Sequence, residues 1–147
     1  MWARKGSRPR RLVTGSKRKT CVYGTLSHDG RQVYRQYPTC NSAYFIRYLK
    51  ATLAKFDKLI LFADRAPWHT SKMTAAFLKE QRHRLKIIWF PPGFPESNPV
   101  EESWRQGKFD DNLGAKLHVS YEQFITAVSQ YYRTKRFKLD LLRYLCL

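Results

Sequence analysis

The chain has 147 residues, 43% of them apolar and 15% aromatic, enough for one domain that buries roughly 68–70% of its unfolded surface and too rich in core-forming side chains for disorder along its whole length. Lys and Arg number 28 against 11 Asp and Glu, a formal charge of +17; this favours a polyanionic partner, nucleic acid first, because each neutralised phosphate releases counterions. No apolar run approaches the roughly 18 residues of a membrane span, the N-terminus lacks the apolar stretch of a signal peptide, and Cys21, Cys40 and Cys146 form no CxxC, so the cysteines read as free thiols in a reducing cytoplasm.

Residues 1–18 are dense in Lys and Arg and free of acid, a basic segment expected to stay solvated until a polyanion orders it. "KTCVYGTLS" (Lys19–Ser27) and "RQVYRQY" (Arg31–Tyr37) are rich in β-branched and aromatic residues and flank Asp29-Gly30, which predicts an antiparallel hairpin. Ser42–Phe56 sets Phe45, Leu49, Thr52 and Phe56 at helical spacing, with Ile46 and Leu53 beside them. "LILFA" (Leu59–Ala63) is short and apolar at every position, the pattern of a strand covered on both faces, and it stops abruptly at Asp64. A helix over residues 70–84 follows, capped by Thr70 or Ser71, with Met73, Ala76 and Phe77 as its inner stripe. "KIIWF" (Lys86–Phe90) is a second short apolar strand, so the order strand, helix, strand predicts a right-handed crossover and a parallel pair.

"PPGFPESNPVEESW" (Pro91–Trp104) holds four of the seven prolines and three of the 11 acidic residues, and its prolines are expected to brace a loop. Asn98 is placed to cap a helix that begins at Pro99, where proline is favoured, and Asn98 with Glu101 resembles a capping box. A last helix starts near Ser120, with Gln123 three residues on and Tyr121, Phe124, Ile125, Val128, Tyr131 and Tyr132 on its apolar face. The tail "FKLDLLRYLCL" is apolar enough to pack against the body.

Asp64 at a strand end, His69 five residues later and Glu101 at a helix start are the candidate chemistry. Ligands of open α/β sheets gather beyond the carboxyl ends of the strands, and the helix, parallel strand and proline loop return the chain to that edge. Two bare carboxylates about 4 Å apart repel by roughly 4 kcal/mol at an effective dielectric near 20, so a proton, a cation or a metal must offset them. Mg²⁺ takes one or two carboxylates together with substrate phosphates, which suits a basic protein. Taken singly, Asp64 reads as a turn residue, Glu101 as a helix-dipole partner, His69 as structural, and Glu102 as solvated.

Together, "LILFADRAPWHTSK" and "IIWFPPGFPESNPVEESWRQGK" resemble the second and third catalytic blocks of DDE transposases of the mariner-like superfamily and their insertion-sequence relatives. Asn98-Pro99-Val100-Glu101 and Trp104 match the third block, Lys108 fits a lysine common after it, and the resemblance extends to "WARKGSRP" and "CVYGTLSHDG". It implies a ribonuclease-H-like α/β fold, a mixed sheet flanked by helices. It also implies metal-dependent DNA strand cleavage and transfer at a two-metal Mg²⁺ or Mn²⁺ site. Asp64 and Glu101 would be catalytic and metal-binding, with His69, Asn98 and Arg65 nearby in support; Arg65 stands where the family usually has Asn. DNA, both transposon ends and target, would meet Arg4, Lys5, Arg8, Arg10, Arg11, Lys17, Arg18, Lys19, Arg105 and Lys108, in a prokaryotic cytoplasm at the nucleoid, with another copy or a full-length transposase as protein partner.

The family's first catalytic Asp lies on a central strand upstream of the block that "WARKGSRP" resembles, and residues 19–147 are therefore expected to form a partial catalytic domain. Asp29, Asp57, Asp110 and Asp111 are poorly placed to substitute. The expectation is a chain lacking the first strand, a remnant or the product of a frameshifted second reading frame, whose status as an enzyme is open and which is inactive in DNA cleavage alone. The alternative is a catalytically dead basic fragment that binds nucleic acid and modulates the full-length transposase.

Overall fold

Asp29 and Gly30 turn the chain as predicted in the computed structural model, which describes residues 18–91 and 98–145. Gly30 takes a φ of 81°, the Asp29 carboxylate accepts from the Arg31 N–H at 3.1 Å and from the Ser27 hydroxyl, and strands β1 (Cys21–Leu26) and β2 (Gln32–Tyr37) pair antiparallel from Cys21↔Tyr37 to Leu26↔Gln32. Helix α1 (Ser42–Lys55) is capped by Asn41, whose side chain accepts from the Tyr44 N–H at 2.8 Å. Its buried face holds the predicted Phe45, Leu49, Thr52 and Leu53, with Tyr48 added. Against it pack Tyr23 and Val33 of the hairpin, Phe56, Phe77 and Leu85, forming the first core cluster.

The free-thiol reading of two cysteines is overturned. Cys21 opens β1 and Cys40 precedes α1; the hairpin returns the chain so that their Cα atoms lie 5.4 Å apart, and they form a disulfide. That separation lies inside the window a disulfide spans without backbone movement.

Strands β3 (Leu59–Ala63) and β4 (Leu85–Trp89) pair parallel, Leu59↔Leu85 through Ala63↔Trp89. The observed β4 lies one residue earlier than predicted, yet the Phe90 N–H still donates to the Ala63 carbonyl at 2.8 Å. Between them runs α2 (Lys72–Glu80), capped by Ser71. Its inner face corrects the expected stripe: Thr74 and Phe77 are buried, while Met73 is 57% exposed and Ala76 also faces outward. The Thr74 hydroxyl is drawn inward by the Trp68 carbonyl, to which it donates at 2.8 Å, and a hydrogen-bonded hydroxyl decides the rotation of a short helix against a flexible thioether.

The two strand pairs remain separate two-stranded sheets among the described residues. A cleft of about 480 Å³ divides them, bordered by Gly24–Leu26 of β1 and Leu59–Phe62 of β3. Ile60 and Phe62 look toward open space at 59% and 39% exposure, so the expectation that β3 is covered on both faces fails. Its alternating burial is that of a strand with one face packed.

Helix α3 (Pro99–Phe109) starts at the predicted proline with Asn98 as its cap. Helix α4 (Tyr121–Thr134) is capped by Ser120 and buries Val128 and Tyr131. The tail packs as expected: Phe137 joins Tyr34, Leu113, Val128 and Tyr131 in a second core cluster, and a short α5 (Leu142–Leu145) follows. The braced loop over residues 92–97 lies outside the described residues.

Candidate active site

Asp64 follows the last residue of β3, and its carboxylate is held by two local donors. The Ala66 N–H donates to Oδ1 at 3.0 Å, and His69 Nδ1 lies 2.7 Å from the same oxygen. With Asp64 ionised, Nδ1 is the donor. The His69 hydrogen bond, chiefly, holds the Asp64 carboxyl below the usual carboxylate range, against the opposing effect of partial burial. His69 itself is gripped by aromatic rings: Phe45 at 4.1 Å between centroids, Trp68 at 5.9 Å and Tyr23 at 6.2 Å. Its Nε2 is buried and has no hydrogen-bond partner among the described residues. The ring therefore touches Asp64 through one nitrogen and the core through the rest, an arrangement that fixes the carboxylate's direction.

Glu101 arrives from the other side. The Asn98 side chain accepts from the Val100 N–H at 3.2 Å, and the Asn98 carbonyl accepts from the Glu101 N–H at 3.0 Å. The reciprocal half of the capping box does not form: the Glu101 carboxylate makes no hydrogen bond or ion pair with any described residue. Glu102 behaves oppositely. It accepts from Arg105 Nε at 2.6 Å and Nη2 at 2.7 Å and from Gln106 at 3.0 Å, and the Arg105 guanidinium, first among these, lowers its pKa. The adjacent glutamates thus divide: one is spent on its own helix, the other has no partner among the described residues.

Asp64, His69, Asn98 and Glu101 all line one cavity of about 210 Å³, whose far wall is β1 with Tyr23 and Gly24. Gly24 is required there, since a Cβ would stand 2.4 Å from the Tyr34 ring and 3.0 Å from Trp104. Trp104 meets Tyr34 edge-on at 5.8 Å and Tyr132 at 5.4 Å, which ties α3 to the hairpin and to α4. Tyr23 is pushed up to about 12, first by burial, with the nearby Asp64 charge adding to the rise.

Of the other predicted site residues, Arg65 is exposed, Arg105 is engaged by Glu102, and Lys108 is exposed on the last turn of α3. Arg18 lies over the Tyr121 ring at 5.5 Å, and the Lys19 carbonyl accepts from the Tyr121 hydroxyl at 2.7 Å. Arg4, Lys5, Arg8, Arg10, Arg11 and Lys17 lie outside the described residues. Among the described residues no third acidic, His or Cys side chain completes a metal-binding group. Asp29 pairs with Arg31, Asp57 with Arg84, and Asp110 caps the Asn112 N–H. The aromatic grip on His69 and the role of Gly24 were not read from the sequence, although a glycine inside a strand pattern is the signal of a close approach.

The sheet pairs, the crossover helix and the strand-end carboxylate define a ribonuclease-H-like fold, that of transposase and integrase catalytic cores. Two solved neighbours are the Mos1 strand transfer complex (16% identity, TM-score 0.61, 92% of this chain and 42% of that one) and the Mos1 transposase paired-end complex with left transposon end (16%, 0.58, 99% and 45%). A third is the catalytic core domain of BIV integrase (18%, 0.54, 82% and 80%). The chain spans under half the length of the Mos1 chains it matches. A search of curated protein sequences returned no match. The family model described as DDE superfamily endonuclease matches residues 1–138, and the chain belongs to that family.

Proposed function

We propose that this protein serves DNA transposition, and that Asp64 and Glu101 are its contribution to a site for metal-dependent strand cleavage and transfer. The observation that supports this most is the Glu101 carboxylate, without a partner among the described residues, on the same cavity as Asp64 at the carboxyl end of β3. The donor set suits a divalent ion: the oriented carboxylate of Asp64 and the free one of Glu101 would hold it, leaving further positions for substrate phosphate oxygens and water. Such an ion would polarise the phosphoryl group and lower the pKa of bound water. His69 keeps Asp64 ionised and aimed, Tyr23 and Trp104 wall the cavity, and the basic surface draws DNA toward it.

Two carboxylates bind such an ion weakly. The inner edges of β1 and β3, unpaired among the described residues, face one apolar cleft, and an extended segment seated there would add a strand to both sheets and carry a third carboxylate to the cavity. Without such a segment these residues are inactive in cleavage, and in cells they would act together with a further transposase chain.

Calorimetry and Trp68 and Trp104 fluorescence during a Mn²⁺ titration test the reading. Weak saturable binding is expected, lost in Asp64→Asn and in Glu101→Gln and kept in Glu102→Gln. Equal loss in all three, or no binding in the wild type, removes the site. Metal-dependent nicking of transposon-end DNA by the chain alone, abolished by Asp64→Asn, would refute the need for a third carboxylate.

A further inference from the structure

At the opposite edge of the hairpin from the carboxylates lies a second cavity, of about 470 Å³, built on β2 and closed by α1 and α4. Four cations converge on it from separate elements: Arg35 of β2, Lys55 at the end of α1, Arg133 at the end of α4 and Arg136 just beyond. Among the described residues no acidic side chain lines it. All four are exposed, and none forms an ion pair with a described carboxylate.

Two of these cations have a local explanation. Lys55 and Arg133 sit in the last turns of their helices, where a positive charge complements the helix dipole. That does not account for Arg35, which is on a strand, or for Arg136, which has left the helix. Backbone carbonyls hold three of the heads in place: Arg35 donates to the Tyr34 carbonyl at 2.9 Å, Lys55 to the Gln32 carbonyl at 3.0 Å, and Arg136 to the Arg133 carbonyl at 3.3 Å. Neutral carbonyls orient the heads but leave the charge uncompensated. Guanidinium groups retain donors for a planar, bidentate partner, and phosphate is such a partner. Ser129 and Gln36 add neutral polar groups to the lining.

We infer that this groove binds the phosphate backbone of DNA, as a contact surface separate from the carboxylate cavity. β1 lines the cavity and β2 supplies most of the hairpin's share of the groove, with Val22 of β1 bordering both, so one hairpin stands between the two. A duplex held at the groove is anchored away from the reacting phosphate, and it is read by charge and not by base sequence. The choice of DNA over another polyanion rests on the transposition reading above.

The test is fluorescence anisotropy of a labelled DNA duplex over a range of salt concentrations. Each phosphate contact steepens the salt dependence of the logarithm of affinity by about 0.9. The triple variant Arg35→Ala, Arg133→Ala, Arg136→Ala is expected to flatten that slope by about 2 to 3. The triple Lys replacement at the same positions is expected to keep it, which also guards against a misfolded alanine variant. Removing Lys72, Lys79 and Arg82, exposed on and just after α2, is expected to change it little. An unchanged slope in the alanine triple, or an equal loss in the α2 triple, overturns the groove while leaving the Mn²⁺ result standing. A flattened slope alongside a failed Mn²⁺ titration retains the groove and removes the catalytic reading. No DNA binding by the wild type removes the groove whatever the metal does.

Discussion

The chemistry of Asp64 turns on one neighbouring ring. His69 Nδ1, 2.7 Å away, is the leading cause of its lowered pKa. The folded-state value is depressed below the unfolded one of about 4, so the stability this interaction contributes is present above that value and lost as pH falls through the folded one. In His69→Phe the ring packing against Phe45 is kept and the donor is lost. The Asp64 carboxyl midpoint, followed by its carbon chemical shift, should then move up toward the ordinary range. An unmoved midpoint would mean that the Ala66 N–H alone does the work. The same scale explains how well the two glutamates could be separated in advance. Glu101 falls at the third position of a helix whose start, Asn98-Pro99, is unmistakable in sequence. The Arg105 that occupies Glu102 is three residues on, a spacing at which helix neighbours meet.

At the scale of elements, what was legible was local. Caps at Asn98 and Ser120, the Asp29-Gly30 turn and the apolar face of α1 are set by residues within a few positions of one another, and all appear as read. What no periodic pattern carries was misread: the rotation of α2, set by the Trp68 carbonyl just ahead of the helix, and, from more distant partners, the open face of β3 and the Cys21–Cys40 bond, which needs the hairpin to form first. That bond ties β1 to the start of α1 across a separation of 19 residues, and a closed loop near that size contributes roughly 3 kcal/mol through the unfolded state. The double variant Cys21→Ser, Cys40→Ser should lose about that much in urea unfolding, and the wild type should lose the same on reduction. A reduction-insensitive midpoint would argue against the bond. Gly24→Ala should cost about 1–3 kcal/mol as an overpacked site, because its Cβ meets the buried Tyr34 ring at 2.4 Å. If it costs less, the Tyr34–Trp104 contact that joins hairpin to α3 is looser than described.

At the scale of the molecule, two aromatic clusters stand in for one continuous sheet. Tyr23 and Tyr48 belong to the first, Tyr34, Tyr131 and Tyr132 to the second, and burial raises the pKa of every one of these phenols. The Tyr131 hydroxyl is buried without a partner among the described residues, so its site offers no donor to a phenolate, and at Tyr34 the nearby Ser103 side chain opposes the effect of burial without reversing it. A phenol with a raised folded-state value stabilises the fold fully below its unfolded value of about 10. That contribution is lost as pH rises through the folded value, which for Tyr23 is about 12. Because the affected residues sit in both clusters, ionisation and unfolding should coincide. Tyrosinate absorbance should climb in one steep step between these values, together with loss of the helical circular dichroism signal. If the clusters are independent units, two steps should appear, and the first-cluster variant Tyr48→Phe should move only one of them. A gradual titration near pH 10 with the helical signal intact would show that the phenols are reached by water. The hairpin, whose Tyr23 and Tyr34 enter opposite clusters, would then not couple the carboxylate cavity to the rest of the fold.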